Sequence, residues 1–337
     1  MSTAVWIGLG LSLIAGVMSG NCMLPSKFVR KWEWENMWLV FTVVSLVLAP
    51  AALTALMVRD AAGLYRSLSL EQYALPFVFG FGWGIAQVLF GLSIARLGLA
   101  LGYAVIVGLG ALLGTMVPIL FQRIEVLGTA NGALILCGVA LMVAGIAVSG
   151  KAGRLREQES NAAAQASPGS GYVAALAVAV LCGVMAPMLN FALAFGQEIG
   201  DEAVRRGTAS ANAAYAVWPV ALAGGLVPNL AYSIYLLHQN RTWNRFRPFF
   251  PDFWFPVLMG LLWMGAIAVY GNSAVFLGAL GTSVGWGLFE IFMIITANVS
   301  GVITGEWKSA SGRARRLLRF GLALLAVATI LMALGNR

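Results

Sequence analysis

The sequence predicts an all-α integral membrane protein whose ten transmembrane helices form two inverted five-helix repeats. Three observations predict it. Of the 337 residues, 60% are hydrophobic and only 10% are charged, where a soluble domain carries about 25% charged residues. The apolar residues gather into ten runs, each close to the roughly 20 residues that cross a hydrocarbon core about 30 Å thick. A set of Gly, Trp, Ser and aromatic positions in the first half recurs at one spacing in the second.

The runs cover 4–24, 37–58, 75–95, 99–121, 128–149, 171–195, 213–237, 253–271, 277–304 and 317–335. Lipid offers the backbone no hydrogen-bond partner, so each run is a helix. The first lacks a basic leader and a small-residue cleavage site, and Lys27, Arg30 and Lys31 follow it. It reads as a retained span and not as a signal peptide. The stretch from Lys151 to Gly171 is rich in Ala, Gly, Ser and Gln and reads as a linker. The expected division is a first repeat over 1–150, a cytoplasmic linker over 151–170 and a second repeat over 171–337. His238 to Pro251 is basic and aromatic, as befits a membrane interface.

Lys and Arg fix the orientation. Fifteen of the 21 fall on one side of the ten-span topology, among them Lys27, Arg96, Arg154, Arg245 and Arg313. The positive-inside rule makes that side cytoplasmic, which predicts a multi-pass protein with both termini outside, periplasmic if the membrane is a bacterial inner membrane. The net charge of +8 is then topology signal and contact with the lipid bilayer, and no nucleic-acid partner is expected.

The repeat is seen in three pairs of spans. Gly80, Trp83, Phe90, Gly91, Ser93, Leu97 and Gly98 of the third match Gly260, Trp263, Tyr270, Gly271, Ser273, Leu277 and Gly278 of the eighth. Ala100-Leu101-Gly102, Val105 and Gly108-Leu109 of the fourth match Ala279-Leu280-Gly281, Val284 and Gly287-Leu288 of the ninth. Gly16-Val17-Met18 matches Gly183-Val184-Met185. An odd number of spans per repeat turns the second copy upside down, and inverted repeats typify secondary transporters with a midplane site between the halves.

Glu290 is the candidate proton-coupling residue. The other twelve acidic residues lie in loops or at span ends, whereas Glu290 sits near the middle of the ninth span among apolar neighbours. An intramembrane carboxylate is costly while charged and unpaired, and such groups mark function; the bland alternative is a structural hydrogen bond to another helix. Candidate substrate-binding groups are Gln87, Asn190, Trp286, Tyr103, Asn21, Trp218, Tyr270 and Asn272, all within or at the ends of spans. Amides donate and accept hydrogen bonds, and aromatic rings cover the apolar face of a sugar. Trp286 precedes Glu290 by four residues, which puts both on one helical face. Each group alone is as compatible with helix packing.

Enzyme chemistry finds no support. There is one histidine, His238, and three isolated cysteines, Cys22, Cys137 and Cys182. These supply no metal-ligand spacing, and a phosphate-binding Gly-x-x-x-x-Gly-Lys-Ser/Thr loop is lacking. No cofactor is expected.

The segment Pro25-Ser26-Lys27-Phe28-Val29-Arg30-Lys31-Trp32-Glu33-Trp34-Glu35-Asn36-Met37-Trp38 resembles the first cytoplasmic loop of the bacterial L-rhamnose–proton symporter family of the drug/metabolite transporter superfamily. Further matching positions are Phe79-Gly80, Trp83-Gly84-Ile85, Gly91-Leu92, Leu97-Gly98, Gly114-Thr115, Pro118 and Glu306-Trp307. The resemblance runs along the chain and implies ten helices, an inner-membrane location, and uptake of a 6-deoxyhexose with protons. Enterobacterial members carry asparagines near the position of Gln87, and a histidine beside that of Glu290 with no glutamate there. Glu290 is thus read from this sequence alone. The expected function is proton-coupled uptake of L-rhamnose or a related 6-deoxyhexose by alternating access, with a small-molecule sugar and protons as partners. The rival readings are a metabolite exporter or exchanger and a non-transporting sugar sensor. Oligomeric state is not readable from the sequence.

Overall fold

The computed structural model describes residues 3–160, 172–247, 250 and 252–336. Among them are ten helices long and apolar enough to cross a membrane. They are α1 (Thr3–Asn21), α2 (Trp34–Met57), α3 (Leu70–Leu97), α4 (Leu99–Gln122), α5 (Ala130–Ser160), α6 (Tyr172–Met185, resumed as Met188–Phe195), α7 (Ala214–Gln239), α8 (Trp254–Leu277), α9 (Val284–Ile303) and α10 (Gly312–Gly335). Short helices Ala61–Ser67 and Gln197–Arg205 lie at the surface ends between spans.

Local chemistry sets the ends. Ser69 and Gln72 form a reciprocal capping box at the start of α3, and the Ser311 hydroxyl caps α10 by accepting from the Ala314 N–H. Helix α5 runs on to Ser160, because Lys151 to Glu159 is built of good helix formers. Half of the stretch expected as a linker is therefore helical, and 161–171 lies outside the described residues.

Prolines shape the interior. Pro219 in α7 has no N–H for the carbonyl of Tyr215 one turn back. The Thr54 hydroxyl donates to that carbonyl at 2.7 Å, and the Tyr65 hydroxyl donates to the Ala216 carbonyl at 3.0 Å. Pro50 follows a five-residue π-turn, Val44–Leu48, in α2. Pro187 interrupts α6, which the hydropathy alone presents as one run.

Each half is packed onto the other. Helix α1 lies against α8 and α9, and α6 lies against α3 and α4. Helix α3 packs on α7 and α2 on α8; α5 packs on α10 and α4 on α9. Exchanging the halves carries each of these pairings into another of the set or, for α5 with α10 and α4 with α9, into itself. Residues matched in the sequence also sit alike. Gly98 and Gly278, ending α3 and α8, both have positive φ, 81° and 76°, which L side chains rarely adopt. Gly16 meets Phe292 and Met293 of α9, and Gly183 meets Leu109 and Ile106 of α4, so close that a Cβ on either glycine would collide. Such approaches are what small residues permit between membrane helices.

Overpacking this contact should therefore be costly. Gly183→Val is expected to destabilise the fold by about 1–3 kcal/mol, read as a lowered unfolding midpoint in detergent, whereas Gly10→Val, at a position with open space around it, should leave the midpoint nearly unchanged.

Candidate functional site

The site is organised by backbone carbonyls that need partners. Pro118 in α4 leaves the carbonyl of Gly114 without its helical N–H. Asn190, fully buried just past the Pro187 break, meets that need: its amide nitrogen donates to Gly114 O at 2.9 Å and to Thr282 O at 2.8 Å. Its amide oxygen accepts from the Tyr270 hydroxyl. One side chain thus joins α4, α6, α8 and the turn before α9. Next to it, Trp286 Nε1 donates to Gly110 O at 3.3 Å, in space that a Cβ on Gly114 would fill. Tyr270, Trp286 and Phe289 pack on one another with ring centroids 5.3–5.5 Å apart.

Glu290 lies one turn beyond Trp286 and is 8% exposed. Its Oε2 is buried, and among the described residues the carboxyl has no hydrogen-bond or ion-pair partner. Tyr103 and Tyr270 lie within its electrostatic range. Three further buried polar atoms lack a partner nearby: Trp218 Nε1, against Gly271, Asn272 Oδ1, and Thr115 Oγ1, beside Gly287. A buried polar atom left unpaired costs free energy.

A vestibule of about 650 Å³ leads toward this cluster from the side on which the chain termini lie. Gln122, Arg123, Gln197 and Asp201 line its mouth; Gly271 and Thr282, neighbours of Tyr270 and Asn190, line it deeper in. Its volume is in the range of small-molecule sites.

The opposite, basic side is clasped. The Asp252 carboxylate accepts from the backbone N–H groups of Arg30, Lys31 and Trp32 at 2.6–3.3 Å. Glu35 accepts from the Thr242 hydroxyl at 2.7 Å and from the Asn240 amide at 3.0 Å. Glu306 pairs with Lys27 and with Arg156, the latter at 3.2 Å, and the Arg156 guanidinium lies over Trp307. The hydrogen bond from Lys27 holds the Glu306 carboxyl below the usual carboxylate range, so the pairing persists at neutral pH and is lost as pH falls through that lowered value. Inward of the clasp a chain of rings runs Trp34, Trp38, Phe41, Trp263, Trp83, with successive centroids 4.8–6.1 Å apart.

Of the residues singled out in the sequence, the structure brings Asn190, Tyr270, Trp286 and Glu290 together, with Trp218 and Asn272 beside the vestibule; Tyr103 is within electrostatic range of Glu290 and packs its ring on Phe90. Asn21 lies elsewhere, its amide bonded to Val17 O and to the Ser300 hydroxyl. Gln87 is half-buried on α3, a turn from both Trp83 and Phe90, and no described hydrogen bond ties it to the cluster. Sequence reasoning passed over Asp252, which looks like one more loop acid, and Phe289, which looks like one more apolar residue.

Asn190→Leu should strand the Tyr270 hydroxyl and two carbonyls, at about 1–3 kcal/mol for each group. Thermal unfolding in detergent should show a larger drop for Asn190→Leu than for Tyr270→Phe, which removes a single bond; equal drops would mean that the amide does not join the helices.

The whole chain, residues 1–337, matches the family described as L-rhamnose-proton symport protein (RhaT). Relatives named L-rhamnose-proton symporter are 29% identical in Cronobacter sakazakii and 27% identical in Escherichia coli O17:K52:H18 and in Shigella flexneri, with 99% of both chains covered in each comparison. With ten candidate spans and a full-length match, the chain is a multi-pass membrane protein that belongs to the L-rhamnose-proton symport protein family, a family of transporters and not of enzymes.

Proposed function

We propose that this chain takes up L-rhamnose or a related 6-deoxyhexose together with protons, by alternating access between two inverted five-helix halves. The observation that carries the reading is the buried Glu290, whose carboxyl has no partner among the described residues, in a chain whose relatives are named for rhamnose–proton symport.

The chemistry suits a neutral sugar. A 6-deoxyhexose has one apolar edge and several hydroxyls, and each hydroxyl both donates and accepts. Trp218 Nε1 offers a donor and Asn272 Oδ1 an acceptor, while Tyr270, Trp286 and Phe289 supply ring faces and edges for the apolar part. Asn190 is saturated by protein partners and acts here as a positioning group. A proton on Glu290 removes a buried charge and lets the carboxyl donate a hydrogen bond, so sugar and proton favour each other's binding.

The two faces fit one state of such a cycle. The vestibule is open on one side, while the clasp around Asp252, Glu35 and Glu306 and the ring chain close the other. Positive-inside topology makes the clasped side cytoplasmic and leaves both termini periplasmic in an inner membrane. The matched helix pairings support an inverted repeat, as does the stacking of Trp83 on its counterpart Trp263, 5.3 Å apart and tilted 22°. Equivalent residues of a two-fold pair meet only near the axis, which for inverted halves lies at mid-membrane.

In proteoliposomes, labelled L-rhamnose should accumulate when an inward proton gradient is imposed and collapse with it; no uptake across a panel of 6-deoxyhexoses would refute the reading. Glu290→Gln should abolish accumulation while leaving sugar exchange measurable, and normal accumulation by that variant would make Glu290 structural. Asp252→Asn weakens the clasp and should raise the reactivity of a cysteine placed at Trp83 toward a thiol reagent added from the basic side, severalfold or more.

A further inference from the structure

On the basic side a second cleft, of about 550 Å³, runs along α5 between α4 and α10. It is built in two levels. Its inner part is apolar and shallow-walled, with Ala104, Ala147 and Leu317. Its outer part carries Lys151, Arg154 and Arg313, all exposed. Ala147, Lys151 and Arg154 follow at helical spacing on one face of α5. From Ala130, at the start of α5, Lys151 lies about 30 Å along the axis, the thickness of a hydrocarbon core. The cations therefore stand at headgroup level and the small residues at acyl-chain level.

Nothing in the described protein neutralises these charges. Among the described residues none of the three has an ion-pair partner. The nearby acids on α5 point to helix starts instead: Glu157 accepts from the Ala100 N–H at 3.1 Å, and Glu159 accepts from the Ser311 N–H at 2.8 Å. Three cations above an apolar groove at a membrane interface complement a molecule with an anionic phosphate above an acyl chain.

We propose that this cleft is a binding site for an anionic phospholipid of the adjoining leaflet, with the headgroup phosphate among Lys151, Arg154 and Arg313 and an acyl chain along Ala147 and Ala104. Because α5 and α10 pack along their length, a lipid held there braces the pair while the other helices rearrange. The proposal does not depend on the sugar carried.

The test is lipid retention by the full-length protein, measured by native mass spectrometry after exchange from nanodiscs containing phosphatidylcholine alone or with phosphatidylglycerol. Phosphatidylglycerol should be retained and phosphatidylcholine should not. The K151Q/R154Q/R313Q variant should bind phosphatidylglycerol at least about tenfold more weakly. R241Q/R247Q/K308Q, which removes the same charge elsewhere on the same side, should bind it as the parent does. Ala147→Phe keeps the cations and fills the groove, and it should also lose the lipid. Equal loss in both triple variants would replace the site by a diffuse basic surface. Full retention in Ala147→Phe, or displacement of the lipid by inorganic phosphate at equal concentration, would make it a free-anion site and overturn the proposal, as would equal retention of both lipids.

Discussion

A helix in lipid must satisfy its own backbone, and every proline in it breaks that closure. This chain places prolines inside five of its spans, α2, α3, α4, α7 and the interrupted α6, and the carbonyls freed by Pro118 and Pro219 are places where its helices are joined. Thr54 reaches the carbonyl exposed by Pro219, and Tyr65 reaches the next one, on Ala216. Asn190 reaches the one exposed by Pro118, and in doing so ties together the helices around the site. Dispersion between apolar faces gives a membrane bundle little direction; these polar joints supply it. Among the described residues near the site, Glu290 Oε2, Trp218 Nε1, Asn272 Oδ1 and Thr115 Oγ1 remain buried without a partner.

The two faces differ in kind. The basic face is held by many short polar contacts, most of them on the segment from Lys27 to Asn36, with Asp252 gathering three successive N–H groups. The other face has one described ion pair between the halves, Arg206 with Asp60 at 2.9 Å, beside the open vestibule. Halves that pair their helices alike are thus fastened differently at their two ends, which is what a two-state carrier needs if one end is to open while the other stays shut. The carboxyl asymmetry is sharper still: Glu290 in α9 has the fully buried Ala111 at the matching place in α4.

Ten spans were legible because hydrocarbon thickness imposes one length and one composition on every crossing. The matched positions were legible where they were Trp, Ser or aromatic, since those recur rarely by chance, and the paired positive φ of Gly98 and Gly278 gives them a conformational counterpart. What could not be read is set by contacts between distant segments. Hydropathy does not see Pro187, because proline in an apolar run changes geometry more than polarity. Asn190 stands out as an amide in a span, but its partners are backbone carbonyls, which no residue type announces. Asn21 has the same chemistry and a different place, bonded at the basic end of α9 through Ser300. Residues 151–160 looked like a linker by composition, though the same Ala, Lys, Arg and Glu are good helix formers when a helix already leads into them.

The central claim is that the lone carboxyl of Glu290 links proton and sugar. It is tested most directly by proton release or uptake on sugar binding, followed with a pH indicator in weakly buffered detergent solution, free of any membrane gradient. The account predicts that adding L-rhamnose to the protein, at a pH alkaline enough that the empty site has released its proton, draws protons from solution in proportion to the sugar bound, and that Glu290→Gln binds the sugar with no proton uptake. Undiminished uptake by Glu290→Gln, or sugar binding by the parent chain with no uptake at any pH, would contradict it.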